Sequence, residues 1–516
     1  MPYSAPPFPR WVLLLGFVLA LAYLPTLSAP FDFLDDGNLV YPAGGLSAGD
    51  HVRVWWEKVR ANVEHLGPFR PVVWAHWQLA ANVYGDSPLA WRTGRLVWCG
   101  LAGAMLLWLM RELRLHPVAA VLAAAAAMWN PYRNDIWTSL TLAEGVAMPY
   151  ALFALVAARK AATAERRAWV WDAAAVLGLL LALGCKNTFV ALIPPMILLR
   201  TWTGGVGLRG KVLTAAVYAA PVLLAVGHLL YVKAHPGPCH YDTPGPSWRQ
   251  AGQFASWLKG AAGLDFLGIG VLLVAGWVGW RAIRDTERGR HGDTRPGAES
   301  PVSVSRVSLS PCLPVAVALL LAGFVVYLPV DIMCGRYTMP AVWGADVLLA
   351  VLLTHFLRSP FCWPKVVAWA AVGVGLAAVL AAGIGRQEKL AARSQMLWQL
   401  LAVVERDAPP GAVAEWVSGG TDGELNAEEG IHFYWHLLHR GRADVRVRLT
   451  DTAGRPVKRV ELDDPPGEVR YRIAARPTAD PAWRPVADVR VPYHLGRRAF
   501  TGTVQEPAVV PLPSGQ

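Results

Sequence analysis

Apolar residues in this chain run on rather than alternate. A helix needs about 20 apolar residues to cross a bilayer's hydrocarbon core. Runs near that length recur at 11–29, 96–110, 118–129, 142–158, 170–183, 190–199, 212–232, 264–280, 313–330, 342–357 and 366–384. That makes about eleven spans, the shorter ones tilted, re-entrant or buried within the bundle. The pattern predicts an all-α polytopic membrane bundle over residues 1–385, followed by a different kind of segment over 386–516. Residues 11–29 read as an uncleaved anchor, because a single Arg10 precedes a long apolar run.

Between the spans the pattern changes character. Residues 30–91 form a long first loop in which Val73, Trp77, Ala80 and Tyr84 recur at helical spacing, predicting a helix lying in the interface. Residues 281–311 are Arg, Gly, Ser and Pro with almost no apolar run, the composition of a disordered linker. After the last span, Leu390, Leu397, Leu400, Leu401 and Val404 mark an amphipathic helix that ends at Pro409-Pro410-Gly411. Beyond it the chain reads as a small soluble α/β domain. Strands are predicted at 412–417, 445–449, 457–462, 469–474 and 486–491, with a helix at 427–440.

Composition fits this division: 54% of the 516 residues are hydrophobic and 16% charged, against about a quarter charged in an ordinary soluble domain. The net charge of +11 resides largely in alternate short loops, at Arg111/Arg114, Arg159/Lys160, Arg166/Arg167, Arg200/Arg209/Lys211, Arg281–Arg295 and Arg358/Lys365. Basic short loops face the cytoplasm. The N-terminus is therefore expected inside, the tail outside, and the basic balance implies a bilayer rather than nucleic acid. Six cysteines in a chain this long are not a disulfide scaffold. Cys239 and Cys334 fall in two predicted outside loops and could pair there or remain free thiols.

Charges at a membrane face are expensive and need a reason. The first outside loop carries Asp35-Asp36-Gly37-Asn38, where a carboxylate could accept a proton from an acceptor hydroxyl, or Asp-Gly-Asn could simply be a turn. The second outside loop, Asn130-Pro131-Tyr132-Arg133-Asn134-Asp135, followed by Glu144, faces the same side. Lys186 stands in the turn Gly184-Cys185-Lys186-Asn187-Thr188, and Arg336 in Arg336-Tyr337-Thr338-Met339-Pro340. Arg336 has a fork of donors suited to phosphate oxygens. Lys186, Arg336, Tyr337 and Arg133 are thus candidates to bind a phosphate headgroup, or else Lys186 and Arg336 are ion-pair partners of Asp135 or Asp331. Asn38, Arg70 and Glu144 are accessory candidates on the acceptor side. His432, His436 and His439 share a predicted helix, which offers too few clear ligands for a metal.

In order and placement these segments resemble the multi-span glycosyltransferases of the GT-C type, in particular the protein O-mannosyltransferase-like branch that includes members with TPR repeats. The resemblance covers residues 31–357. Leu34-Asp35-Asp36-Gly37-Asn38 resembles that family's acidic pair in its first lumenal loop. Phe69-Arg70-Pro71-Val72 looks like its Y-R-P-L opening of an interfacial helix, although the His and Asn that close the stretch there are Arg92 and Gly94 or Arg95 here. Asn130 to Asp135 is similar to H-P-x-x-x-E with Asn130 for His. Cys185-Lys186-Asn187 resembles Ser-Lys-Glu, and Arg336 to Pro340 looks like R-Y-x-x-P. The TPR repeats have no counterpart.

The resemblance implies transfer of a sugar from a polyprenyl-phosphate donor to an acceptor (protein, lipid or glycan) at the outer face. Asp35 or Asp36 would act as base, Asp135 would orient the acceptor or a cation, and Arg336 with Lys186 would hold the departing phosphate. The carboxylates could also hold a divalent cation, which their spacing does not demand. Two rivals are a lipid or glycan flippase and an inactive homologue serving as a membrane-anchored binding protein. A flippase predicts symmetry between halves, which is absent from the sequence; the replacements at Asn130 and Asn187 keep the inactive homologue as an alternative.

The charge asymmetry yields a direct test of topology. Reporter fusions at Gly292 and Gly420 are expected to give opposite signals. Matching signals would remove the shared outer face on which these candidates meet.

Overall fold

The computed structural model describes residues 8–27, 29–31, 48–66, 69–130, 132–133, 135–164, 166–202, 207–234, 247–262, 312–327, 338–358, 362–419, 425–457, 465, 467–476, 481–493 and 496–508. The acidic first-loop residues Asp35, Asp36 and Asn38 lie outside them. So do Arg336, Tyr337, Cys239, Cys334, the linker 281–311 and the run 264–280.

The apolar runs fold as helices. In chain order these are α1 (Phe8–Leu27), α2 (Ala48–Leu66), α3 (Pro71–Tyr84), α4 (Pro88–Glu112), α5 (Pro117–Trp129), the single turn α6 (Asp135–Thr138), α7 (Ala143–Thr163) and α8 (Ala168–Leu183). A 3₁₀ turn (Asn187–Leu192) leads into α9 (Ile193–Thr201), then come α10 (Leu208–Ala234), α11 (Trp248–Ala261), α12 (Cys312–Tyr327) and α13 (Ala341–Leu357). Proline at the first turn starts α3, α4 and α5, where its missing N–H leaves no bond unmade. Among the described residues, α1, α4 and α7 are long and apolar enough to cross a membrane; α5, α8, α12, α13 and residues 187–201 are shorter apolar helices.

Helix α7 is the axis of the bundle. It is buried along nearly its whole length and packs on α4, α8 and α9. Small residues let these helices approach closely. A Cβ on Gly178 of α8 would lie 3.1 Å from the Tyr150 carbonyl oxygen of α7, and one on Gly323 of α12 would lie 2.7 Å from the Ala341 nitrogen of α13. The outer helices are apolar on their outward sides as well. Leu13, Phe17, Leu21 and Leu24 of α1 and Leu213, Leu223, Leu224 and Leu230 of α10 are exposed. Such continuous apolar surface is unfavourable in water and suits lipid tails. At one end of the bundle the basic loop residues meet polar partners: Lys160 pairs with Glu112 at 2.8 Å, and Arg358 donates to the Arg114 carbonyl. Near that end Arg200 and Tyr218 both bond Asp172, which satisfies an acid inside the α8 run.

Three features depart from the sequence reading. The apolar face of α3 (Val73, Trp77 and Ala80) is buried in the bundle core instead of lying on the interface. The amphipathic helices α2 and α11, which the run-based reading passed over, pack by Trp55 Nε1 to the Pro71 carbonyl and by Phe254 against Phe324. The last span and the helix after it are one continuous α-helix, α14 (Cys362–Asp407), of 46 residues. Its lower part belongs to the bundle and its upper part is the platform of the C-terminal domain.

That domain is a five-stranded mixed sheet in the order β2-β1-β3-β5-β4. The strands are β1 (Val413–Ser418), β2 (Arg446–Asp451), β3 (Val469–Ala474), β4 (Trp483–Tyr493) and β5 (Arg498–Pro507), with helix α15 (Ala427–His439) between β1 and β2. β1 pairs parallel with β2 and β3; β5 pairs antiparallel with β3 and β4. The predicted strand at 469–474 has the bounds observed, whereas β5 was missed, its short apolar set (Phe500, Val504) interrupted by Gly502. The register places Trp416, Ile473, Val504, Gly502 and Val489 on one face. α14 covers it over β5 and β4, and α15 over β1 and β2. α14 lies close over β5 here, since a Cβ on Gly502 would lie 2.7 Å from a methyl of Leu400. α15 begins with a capping box, Asn426 and Glu429 bonding each other's backbone N–H. Glu429 also receives Arg393 of α14 at 2.6 and 2.8 Å, which fixes the two helices side by side.

Two buried histidines on α15 give the domain a pH dependence. Burial holds His432 down to about 4. Burial, with the charges of His432, His439 and Arg440 beside it, holds His436 down to about 3. Both are neutral in the folded domain and titrate near 6.5 when unfolded. Below about pH 6.5 the unfolded chain therefore binds more protons, and stability falls as pH drops towards 4. The domain's melting temperature is expected to decline across that window. The double variant His432→Gln/His436→Gln should have a flatter profile, and an equally steep one would refute the assignment.

Candidate functional site

The end of the bundle opposite the basic loops gathers the irregular segments between helices, and backbone carbonyls there need donors. Two arginines one turn apart on α4 supply them. Arg92 donates from Nε to the Ala29 carbonyl at 2.8 Å, from Nη1 to Thr138 at 3.1 Å and from Nη2 to Pro30. Arg95 donates to the carbonyls of Ser139 (2.9 Å), Leu140 (2.6 Å) and Leu142 (3.3 Å). Both guanidinium groups are buried. Arg92 thus joins the root of the acidic first loop to the C-terminal end of α6, the turn that Asp135 begins. Gly145 makes room for Arg95, because a Cβ there would lie 2.8 Å from the Ile136 carbonyl oxygen and against the guanidinium itself.

Beside this cluster lies a buried ion pair. Lys186, just before the 3₁₀ turn, donates to Glu144 in the first turn of α7. As the alternative to binding a phosphate, Lys186 was expected to pair with Asp135 or Asp331; among the described residues it pairs with Glu144, itself an accessory candidate. Arg70 is the residue preceding α3, and two residues on, the Val72 N–H bonds the Gly184 carbonyl at 3.0 Å. The start of α3 is thereby held against the turn that carries Lys186. The Nε of Arg70 is buried and meets no acceptor among the described residues.

Arg133 has a different surrounding from the phosphate site expected of it. Its guanidinium donates to both oxygens of Asp346 on α13 at 2.8 and 2.9 Å, and its Nε to the Ala261 carbonyl at 2.6 Å. All of this is buried. Asn130 joins the same knot, donating to the carbonyls of Gly260 and Ala261 at 3.0 Å each and accepting the Tyr132 N–H. Asn130 and Arg133 therefore tie the second loop to the end of α11 and to α13. The Arg133 guanidinium is thus engaged by Asp346 and the Ala261 carbonyl.

Sequence reasoning passed over Arg92 and Arg95 as active parts and did not mention Asp346. Each had a signal: two arginines three apart at the head of a span, and a lone carboxylate inside an apolar run. Among the described residues no three or more His, Cys, Asp or Glu side chains cluster to hold a metal ion. The histidines of α15 instead pack on aromatic rings, His436 4.8 Å from Trp398 and His432 4.9 Å from Trp435.

No family model and no curated protein matches the chain. Among solved structures it is similar to ArnT from Cupriavidus metallidurans bound to undecaprenyl phosphate, with 13% identity, a TM-score of 0.48, and coverage of 97% of this chain and 98% of that one. At that TM-score the likeness decides neither fold nor activity.

The Glu144–Lys186 pair can be tested by a mutant cycle. Lys186→Met removes the cation that Glu144 accepts from, a loss of about 3–5 kcal/mol for a broken buried pair, and should lower thermal stability in detergent sharply. Adding Glu144→Gln should restore most of it. Equal instability of the single and double variants would show that the pair is not what holds this turn.

Proposed function

We propose that this chain is an integral membrane glycosyltransferase that transfers a sugar from a polyprenyl-phosphate donor to an acceptor at the outer face. The observation that carries the proposal is the three-way grip of Arg92, which binds the root of the Asp35/Asp36 loop and the end of the Asp135 turn with one guanidinium. Two acid-bearing loops, distant in sequence, are thus rooted at one point, with Glu144, Lys186 and Arg70 around it. Lipid-facing helices beside such a site suit a substrate whose long apolar chain stays in the bilayer while its phosphate reaches the polar end.

In this mechanism Asp35 or Asp36 accepts the proton of the acceptor hydroxyl as its oxygen attacks the anomeric carbon. Gly37 favours Asp36 by letting the backbone turn towards the site. The bond between the anomeric carbon and the phosphate oxygen breaks, and the lipid phosphate leaves with the electron pair. Positive groups near that oxygen stabilise the charge that grows on it. We assign that task to Arg336, Tyr337 and Lys186, with Arg70 in support. Glu144 keeps Lys186 in place, and Arg133 is assigned to the fold. Asp135 orients the acceptor.

A reconstituted assay with radiolabelled polyprenyl-phosphate sugars tests the reading. Asp35→Asn or Asp36→Asn should lower turnover by roughly two to four orders of magnitude, the usual worth of a general base, with donor binding little changed. Arg336→Lys, which keeps charge and loses the fork, should weaken donor binding while the protein still folds. No transfer by the parent from any such donor, or both Asn variants within a few-fold of it, would overturn the proposal.

A further inference from the structure

Just beyond α1 the chain enters the first loop under the hold of side chains that are distant in sequence. Ala29, Pro30 and Phe31 are consecutive, and each carbonyl accepts a hydrogen bond from a distant side chain. Arg92 of α4 takes the first two. The third goes to Trp398 of α14, whose Nε1 donates to the Phe31 carbonyl at 2.8 Å. Trp398 is itself fixed by the C-terminal domain. Its ring lies 4.8 Å from the His436 ring and 5.1 Å from the Arg440 guanidinium, both from the end of α15. Arg440 is held in turn by Glu405 of α14. Lower on α14, buried Gln387 meets Thr26 in the last turn of α1 at 3.5 Å. His439 of α15 reaches Asp86, in the turn before α4, at 3.3 Å. The domain therefore grips the exit of α1 and touches the α3–α4 turn.

We propose that the C-terminal domain is a positioning element for the transferase face, and that Trp398 is the residue through which it acts. The proposal rests on the reading above, in which the segment entered at Phe31 supplies the base. A residue of that segment can be delivered to its substrate reproducibly only if the backbone leading to it is fixed. Misplacement by about 1 Å costs a reaction of this kind on the order of a hundredfold. Arg92 fixes two of the three carbonyls, and the third is reached from outside the bundle. Removing the domain's grip is expected to loosen that entry without disturbing the helices that would hold the donor. Trp398 is thus a positioning residue, acting through Phe31 and touching no substrate.

The test uses the full chain in detergent or nanodiscs. Trp398→Phe keeps a six-membered aromatic ring towards His436 and Arg440 and loses the pyrrole ring with its N–H donor. Hydrogen exchange in peptides covering residues 27–33 should rise about tenfold, the worth of one hydrogen bond, while peptides from β1 and α15 exchange as in the parent. In the transfer assay kcat should fall about tenfold with the donor KM within twofold. Should Trp398→Phe fail to accumulate, benzothienylalanine at this position, in which sulfur replaces the N–H, provides the same exchange readout with the ring intact. Unchanged exchange over residues 27–33 in either variant overturns the proposal, as does a change in KM as large as that in kcat. Because exchange needs no turnover, an inactive parent with a loosened entry would refute the transferase reading and leave the positioning role standing.

Discussion

Irregular backbone at the end of an apolar bundle must find hydrogen-bond partners within the protein, and here two guanidinium groups on one helix provide them. Six carbonyls, from Ala29, Pro30, Thr138, Ser139, Leu140 and Leu142, accept from Arg92 and Arg95. An unpaired buried carbonyl costs about 1–3 kcal/mol, so the set outweighs any single helix contact nearby. Lysine could not substitute, because an ammonium is a point donor while the planar fork reaches several segments at once. Gly145 follows from this arrangement, since a larger residue would occupy the space of Arg95. The packing of α7 against α4 and the described roots of both acidic loops depend on the same two side chains.

The bundle was largely legible in the sequence, since each described helix of apolar character overlaps a run of apolar residues. The limits of that legibility have physical causes. A run counts hydrophobicity and not continuity, so the single helix α14 looked like a span followed by a separate amphipathic segment. The amphipathic α2 and α11 have too little net hydrophobicity to appear in such a count. Val73, Trp77 and Ala80 were rightly grouped on one face of α3, but periodicity does not say whether a face meets lipid or protein.

The site was legible in its chemistry and opaque in its pairings. That Lys186 needed a carboxylate follows from the cost of a lone ammonium between apolar segments. That the carboxylate is Glu144 depends on how α7 and α8 pack, which no local pattern records. Arg92 and Arg95 looked like lost members of a borrowed motif because their partners are carbonyls, which any residue type can offer. Such an interaction leaves a trace in the sequence only at the donor. Arg133 shows the converse: a fork suited to phosphate is equally suited to the two oxygens of Asp346, and only the fold distinguishes them.

These pairings also differ in what they do. Lys186 with Glu144, Arg133 with Asp346, and Arg200 with Asp172 each set a cation against a carboxylate. Such pairs offset the cost of burial and set register more than they add stability. Arg92 and Arg95 work by direction, their planar forks reaching six backbone carbonyls from separate segments.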